Sequence, residues 1–303
     1  MKKKIAVGLL SIIIFLGTAE IVCRLLNTPP YSSEQYFIFD ICGELLGEYD
    51  PLLFWRLKDV KPDFAEADYK IICLSDSVSV MYGGNREYPK MLENLLNEKF
   101  PEVKFKVFNA GVPGYTSYQG YVYLREELMA YHPHLVIVNF GPNDRSYAIN
   151  GIPDKYQRYY DSILDKILGW SKFYQGYKRF ILHVIGEKKK SSRARIFRVP
   201  PYDFRQNLEA IIELCEENNC KLILLTSPYL DKNQEWVTIH RRYNDIIRNL
   251  AQENNIPCLD LADFFSTRPD LFIEPERDHV HINMKGYWII ARGLFEMIKR
   301  QIQ

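Results

Sequence analysis

The chain has 303 residues, 47% of them hydrophobic and 25% charged. That ordinary globular composition leaves room for one large α/β domain or two smaller ones, and excludes a disordered, collagen-like or polytopic membrane protein. Lys plus Arg number 39 against 38 Asp plus Glu, a formal net charge of +1, without the basic excess of a dedicated nucleic-acid binder.

Lys2, Lys3 and Lys4 precede an apolar or small run from Ile5 to Ala19; Glu20 interrupts it, and Ile21, Val22 and Cys23 continue it up to Arg24. A helix over Ile5–Val22 would be about 27 Å long at ~1.5 Å per residue, close to the ~30 Å hydrocarbon core, and the lysines would keep its N-terminus in the cytoplasm. Residues 1–26 are therefore expected to form a retained signal anchor, with the rest of the chain outside the cytoplasm. The alternative is a signal peptide cleaved after Gly17-Thr18-Ala19 and a secreted product, but the run continues past Ala19 and is long for that role. Residues 27–68, with Pro29-Pro30 and Asp50-Pro51, read as a linker and an extended approach to the domain.

Regular alternation begins at Tyr69. Short apolar runs predict strands over Lys70–Leu74, Val103–Phe108, His134–Phe140, Lys221–Thr226 and Pro257–Leu261. Helical spacing falls between them, over Arg86–Phe100, Tyr118–Tyr131, Asp203–Glu217 and Trp236–Asn254, and again from Met284 to the end. Residues 150–200 break the rhythm; they are rich in Tyr, Lys and Arg and end in the basic run Lys188–Arg198. They read as a helical insertion over one end of the sheet, either a substrate-side lid or a solvated excursion with no role. Residues 69–303 thus form one domain built on a parallel sheet covered on both faces, and ligands of such sheets bind beyond the carboxyl ends of the strands. The six cysteines form no CxxC pair, so neither a zinc ribbon nor a redox motif is supported; Cys73 and Cys258 read as small core hydrophobes.

A polar cluster follows each of four strands on that edge: Ser75-Asp76-Ser77, then Asn109-Ala110-Gly111-Val112-Pro113-Gly114, then Gly141-Pro142-Asn143-Asp144, and finally Asp278-His279-Val280-His281. The residue types fit one chemistry. A serine hydroxyl is a weak nucleophile until a base takes its proton; Ser77 can be that nucleophile, His281 the base, and Asp278 the group that orients the imidazole. The oxyanion that develops on an attacked acyl carbon needs donors, for which the backbone N–H groups of Ser77 and Gly111 and the Asn143 amide are candidates, with Asp76 and Asp144 in support. Each residue alone has a plainer reading: Ser77 as a helix cap, Asn143 and Asp144 as turn formers, Asp278 and His281 as a surface ion pair. His279, His281 and Asp278 are thin support for a metal, and no GxSxG, HExxH, Walker A or GxGxxG motif occurs; no metal or cofactor is expected.

Taken in order, the four clusters resemble the blocks of the SGNH/GDSL hydrolases. Ser75-Asp76-Ser77 is similar to the family's GDS, Gly111 in NAGVPGYTS to its second-block glycine, Gly141–Asp144 to its GxND, and Asp278–His281 to its DxxH, continued by Asn283 and Gly286-Tyr287. The segments Asp50–Lys58 and Arg198–Ile211 also resemble members that carry an N-terminal membrane segment. The resemblance implies a flavodoxin-like three-layer αβα sandwich on a five-stranded parallel sheet and ester hydrolysis through an acyl-enzyme. It gives Ser77, His281 and Asp278 as the catalytic residues, with Gly111 and Asn143 in the oxyanion hole. One departure stands out: the glycine of GDS is Ser75, which would cost about 1 kcal/mol if that backbone needed a positive φ. The expected protein is a serine esterase deacylating a carbohydrate or small ester outside the cytoplasm. The alternatives are an O-acyltransferase on cell-surface polysaccharide, which shares the acyl-enzyme, and a non-catalytic binding or scaffold protein on the same fold.

Overall fold

The computed structural model describes residues 2–26, 47–50, 52–80, 86–148, 151, 153–157, 163–168, 170–174, 176–177, 196–232 and 234–302. After helix α1 (Lys2–Leu25) come the hairpin strands β1 (Gly47–Asp50) and β2 (Phe54–Leu57), and then the main body. There β3 (Tyr69–Ser75), α2 (Tyr88–Lys99), β4 (Phe105–Asn109), α3 (Ser117–Glu126) and β5 (Leu135–Asn139) follow one another. The short helices α4 (Asp154–Gln157) and α5 (Ile163–Leu168) precede α6 (Pro201–Glu217), β6 (Lys221–Leu225), α7 (Gln234–Glu253), β7 (Cys258–Leu259), α8 (Ala262–Ser266) and α9 (Met284–Ile302).

Five strands form one sheet in the order β4-β3-β5-β6-β7, and every pairing is parallel. Burial on both faces explains the apolar runs of the central strands β3, β5 and β6, whereas the edge strands β4 and β7 are mostly half-buried. Side chains alternate between two cores. Ile72, Leu74, Val136, Val138, Leu222 and Leu224 pack with Val122 of α3, Ile211 of α6 and Ile247 of α7. Ile71, Cys73, Leu135, Ile137, Ile223 and Leu225 pack with Leu92 of α2 and Ile290 and Leu294 of α9. The result is the expected three-layer sandwich. The chain leaves β3 toward β4 on one side and returns to β5 on the other, so the carboxyl end of β3 is the switch point where a ligand crevice forms.

Two expectations are revised. The approach segment is in part domain: Leu53, Phe54 and Trp55 are buried in the α3-side core. Trp55 Nε1 donates to Pro113 O at 3.2 Å, Tyr115 Oη donates to Trp55 O at 2.5 Å, and Gln119 Nε2 donates to Leu53 O at 2.7 Å. The basic run Lys188–Arg198 lies outside the described residues up to 195, and Arg198 is no solvated charge: it is buried against buried Asp154, Nη2 to Oδ2 2.9 Å. Within the insertion, its described stem closes through a bridge between Tyr147 and Phe197, whose rings stack at 5.7 Å. The expected membrane span lies in α1, and part of it falls outside the described side chains; among the described residues no helix is long and apolar enough to cross a membrane.

Candidate active site

Strand β3 ends on Ser75, and the chain turns at once into a single 3₁₀ turn over Ser77–Ser79. Asp76 is its N-cap: fully buried, its Oδ1 accepts from Val78 N at 2.8 Å. The cap fixes the next residue, Ser77, at the strand end. Ser75 brings none of the strain feared for a residue in the glycine position. It sits in the regular ladder opposite Asn139, its φ is not positive, and its hydroxyl bonds Ser79 Oγ.

Ser77 Oγ donates to His281 Nε2 at 2.8 Å, and His281 Nδ1 donates to Asp278 Oδ2 at 2.5 Å. The loop before α9 makes this second contact local, because Asp278 Oδ1 also accepts from the backbone N–H of Val280 and His281 at 3.0 and 3.1 Å. Burial opposes ionisation of Asp278, but these bonds together outweigh it and hold the carboxyl at about 2. Burial likewise opposes a charge on His281, yet the hydrogen bond and the charge of Asp278 raise its pKa above the usual imidazole value. An ionised Asp278 on Nδ1 leaves the Nε2 lone pair facing the serine hydroxyl. His279 is outside this relay: its Nε2 meets no partner among the described residues.

The second loop departs from expectation. The Gly111 N–H is committed, donating to Asn109 Oδ1 at 3.0 Å. A Cβ at this position would fall 2.0 Å from Ser79 Oγ, so glycine is required here by the β3 loop packed against it, not by a substrate. Three residues on, Tyr115 N donates to Val112 O at 3.1 Å, closing a turn with Pro113 and Gly114 at its centre. Gly114 has φ +82°, the backbone that a type II turn demands of its third residue. Its N–H, like that of Ser77, meets no acceptor among the described residues. Arg198 holds this loop from behind: Nη1 donates to Gly114 O at 2.8 Å and Nη2 to Gln119 Oε1 at 3.0 Å. Asp154 Oδ2 also accepts from Thr116 Oγ1 at 2.9 Å. The Pro-Gly pair was a legible signal for Gly114; nothing local pointed to Arg198 or Asp154.

After β5, the Asn143 amide ties the first two loops together, Nδ2 donating to Asp76 Oδ2 and to Tyr115 O at 3.0 Å each. Burial raises Asp76 to about 6 against the pull of the Val78 N–H, His281 and Asn143. Asp144, also fully buried, accepts from Ser117 N at 2.9 Å and Ser117 Oγ at 2.6 Å and so anchors the start of α3; burial raises it to about 7. The structure thus joins Ser77, His281 and Asp278, and Asp76 and Asn143, by hydrogen bonds, bonds Asp144 to Ser117 at the start of α3, and commits the Gly111 N–H to Asn109. Among the described residues no group of three or more His, Cys, Asp or Glu side chains is placed to hold a metal ion.

The sequence matches the family described as GDSL-like lipase/acylhydrolase over residues 71–294. No curated protein matches significantly. Among solved structures, a lipase/acylhydrolase from Enterococcus faecalis is similar with 21% identity and a TM-score of 0.50, over 77% of this chain and 96% of that one. An acetylxylan esterase from Geobacillus stearothermophilus, Axe2, has 18% identity and a TM-score of 0.52, over 76% and 94%. The acetyl xylan esterase AlAXEase has 19% identity and a TM-score of 0.52, over 76% and 99%. Likeness at these identities shows the shared fold.

Proposed function

The chain belongs to the GDSL-like lipase/acylhydrolase family, and from that premise and the geometry of the loops we propose a serine esterase that deacylates carbohydrate or small esters through an acyl-enzyme. The observation that carries the reading is the continuous relay from Ser77 Oγ through His281 to Asp278, at 2.8 and 2.5 Å. In the acylation step Ser77 Oγ bonds to the ester carbonyl carbon while its proton passes to His281 Nε2. Asp278 stabilises the imidazolium that results. Collapse of the tetrahedral adduct expels the alcohol, which takes that proton from Nε2. Water then repeats the sequence on the acyl-enzyme, releasing the acid and returning the proton to Ser77.

The developing oxyanion is assigned to the N–H groups of Ser77 and Gly114 in place of Gly111. Asn143 joins them by sharing one of the two N–H bonds it now gives to Asp76 and Tyr115. A carbohydrate acetyl ester as substrate is favoured by the fold shared with two acetylxylan esterases. Membrane attachment through Ile5–Val22, with the catalytic domain outside the cytoplasm, is proposed on the triple-lysine flank and the exposed apolar side chains of α1, among them Ile13 and Phe15.

Hydrolysis of p-nitrophenyl acetate and of acetylated xylo-oligosaccharides, with and without a sugar acceptor, tests the reading. Wild type should release acetate to water, and Ser77→Ala should not. Acetyl transfer to the sugar in preference to water would make the protein an acyltransferase. Equal rates for the two proteins would remove Ser77 from the mechanism.

A further inference from the structure

Arg145 lies two residues after Asn143 on the same loop. Its guanidinium carbon sits 3.9 Å from the centre of the Trp236 ring, and its Nε donates to His240 Nδ1 at 3.1 Å. The His240 ring lies nearly parallel to Trp236, at 5.1 Å and 8°. Two groups in hydrogen-bond contact cannot lie on opposite faces of one indole, so guanidinium and imidazole share a face, side by side. Because His240 Nδ1 accepts, the ring proton is on Nε2, which meets Ser227 O at 3.2 Å. Burial, with Arg145 adding to it, pushes His240 down to about 3. A neutral imidazole therefore orients the guanidinium without neutralising it.

This arrangement differs from the other half-buried or buried arginines. Arg56 pairs with Asp50, Arg198 with Asp154 and Arg248 with Asp260. Arg145 makes no ion pair among the described residues. The nearby charge it feels is Asp76, whose two oxygens are already bonded to Val78 N and Asn143 Nδ2. A partly buried cation without a counter-ion is costly to keep. With Nε turned to His240, the Nη1/Nη2 end of the guanidinium meets no acceptor among the described residues and presents a planar fork, the geometry that matches a carboxylate with two parallel hydrogen bonds. Three links tie this position to the reacting groups: Arg145 shares its loop with Asn143, the Asp76 whose charge it feels immediately precedes Ser77, and Trp236, on which it stacks, lies 6.0 Å from His279 of the loop that carries His281.

We propose that Arg145 binds a carboxylate carried by the ester substrate close to its scissile bond, so that the preferred substrates are esters of acidic sugars over neutral ones. The proposal rests on the esterase reading and adds a substrate class to it. The test compares acetylated glucuronate oligosaccharides with acetylated xylo-oligosaccharides of the same length, using the full chain. Wild type should favour the acidic ester by about tenfold or more in kcat/KM, mostly through KM, as expected for a group that binds ground and transition states alike. Added salt should shrink that ratio. Arg145→Gln should bring the ratio close to one, and Arg145→Lys should restore part of it. A wild-type ratio near one, or a ratio unmoved in Arg145→Gln, would overturn the proposal. If no ester is hydrolysed, p-nitrophenyl acetate included, it is the esterase reading that fails. Calorimetric titration with a glucuronate oligosaccharide then decides Arg145 by itself: binding to wild type that is lost in Arg145→Gln supports the assignment, and no binding to wild type refutes it.

Discussion

His281 must be neutral to take the serine proton, so the rate should rise as pH passes its raised pKa. Replacing Asp278 by Asn removes the charged hydrogen bond and the nearer charge that raise that pKa, leaving burial, which lowers it, opposed only by the smaller pull of Asp76. The acid limb of the kcat/KM profile should therefore move to lower pH in Asp278→Asn, while kcat falls on the order of 10²–10⁴-fold because the tautomer is no longer held. An acid limb that stays in place would mean another group titrates there. At the second loop the two glycines should part company. Gly111→Ala drives a methyl into Ser79 Oγ, 2.0 Å from the ideal Cβ, and should lower Tm by several degrees. Gly114→Ala strains a positive φ by about 1 kcal/mol and should lower kcat beyond its effect on Tm. A larger kcat loss in Gly111→Ala would restore Gly111 as the amide donor. The two are hard to separate in sequence, since NAGVPG offers both and only the closed Val112–Tyr115 turn shows which amide is left without a partner.

At the scale of elements, the central strands β3, β5 and β6 are legible because burial on both faces makes them apolar runs, and the polar clusters follow the strand ends. Expected and observed limits differ by a residue or two for most; β7 is the shortest, Cys258–Leu259, paired with Leu224 and Leu225 of β6 at the sheet edge. What sequence could not show is contact at a distance. Arg198 looks like the last residue of a solvated basic run, yet it is pinned between Asp154 and the Gly114 carbonyl. The described ends of the 150–200 insertion thus clamp the second loop, whatever the segment between them does. Arg198→Met would leave Asp154 buried and uncompensated and should cost on the order of 3–5 kcal/mol by denaturant titration. Arg198→Met combined with Asp154→Leu should recover part of that loss. A single variant as stable as wild type would deny the clamp.

For the whole molecule, the fold family and the order of the four blocks could be read in advance, but the domain boundary could not. The hairpin over 47–57 has too short a pattern to stand out from a linker, and its Trp55 declares itself only by packing against Tyr115 at 5.6 Å and bonding Pro113 O. A chain beginning at Gly47 should therefore fold and hydrolyse esters. One beginning at Tyr69 should lose the support of the second loop and unfold at markedly lower denaturant. Equal stability of the two would make the hairpin an ornament.

The most direct measurement of the central claim is mass spectrometry of the protein after reaction with a fluorophosphonate, with the modified peptide sequenced. The relay predicts a single adduct on Ser77, formed quickly by wild type, slowly by His281→Ala and at wild-type rate by His279→Ala. No adduct, an adduct on another residue, or equal labelling of His281→Ala would contradict it.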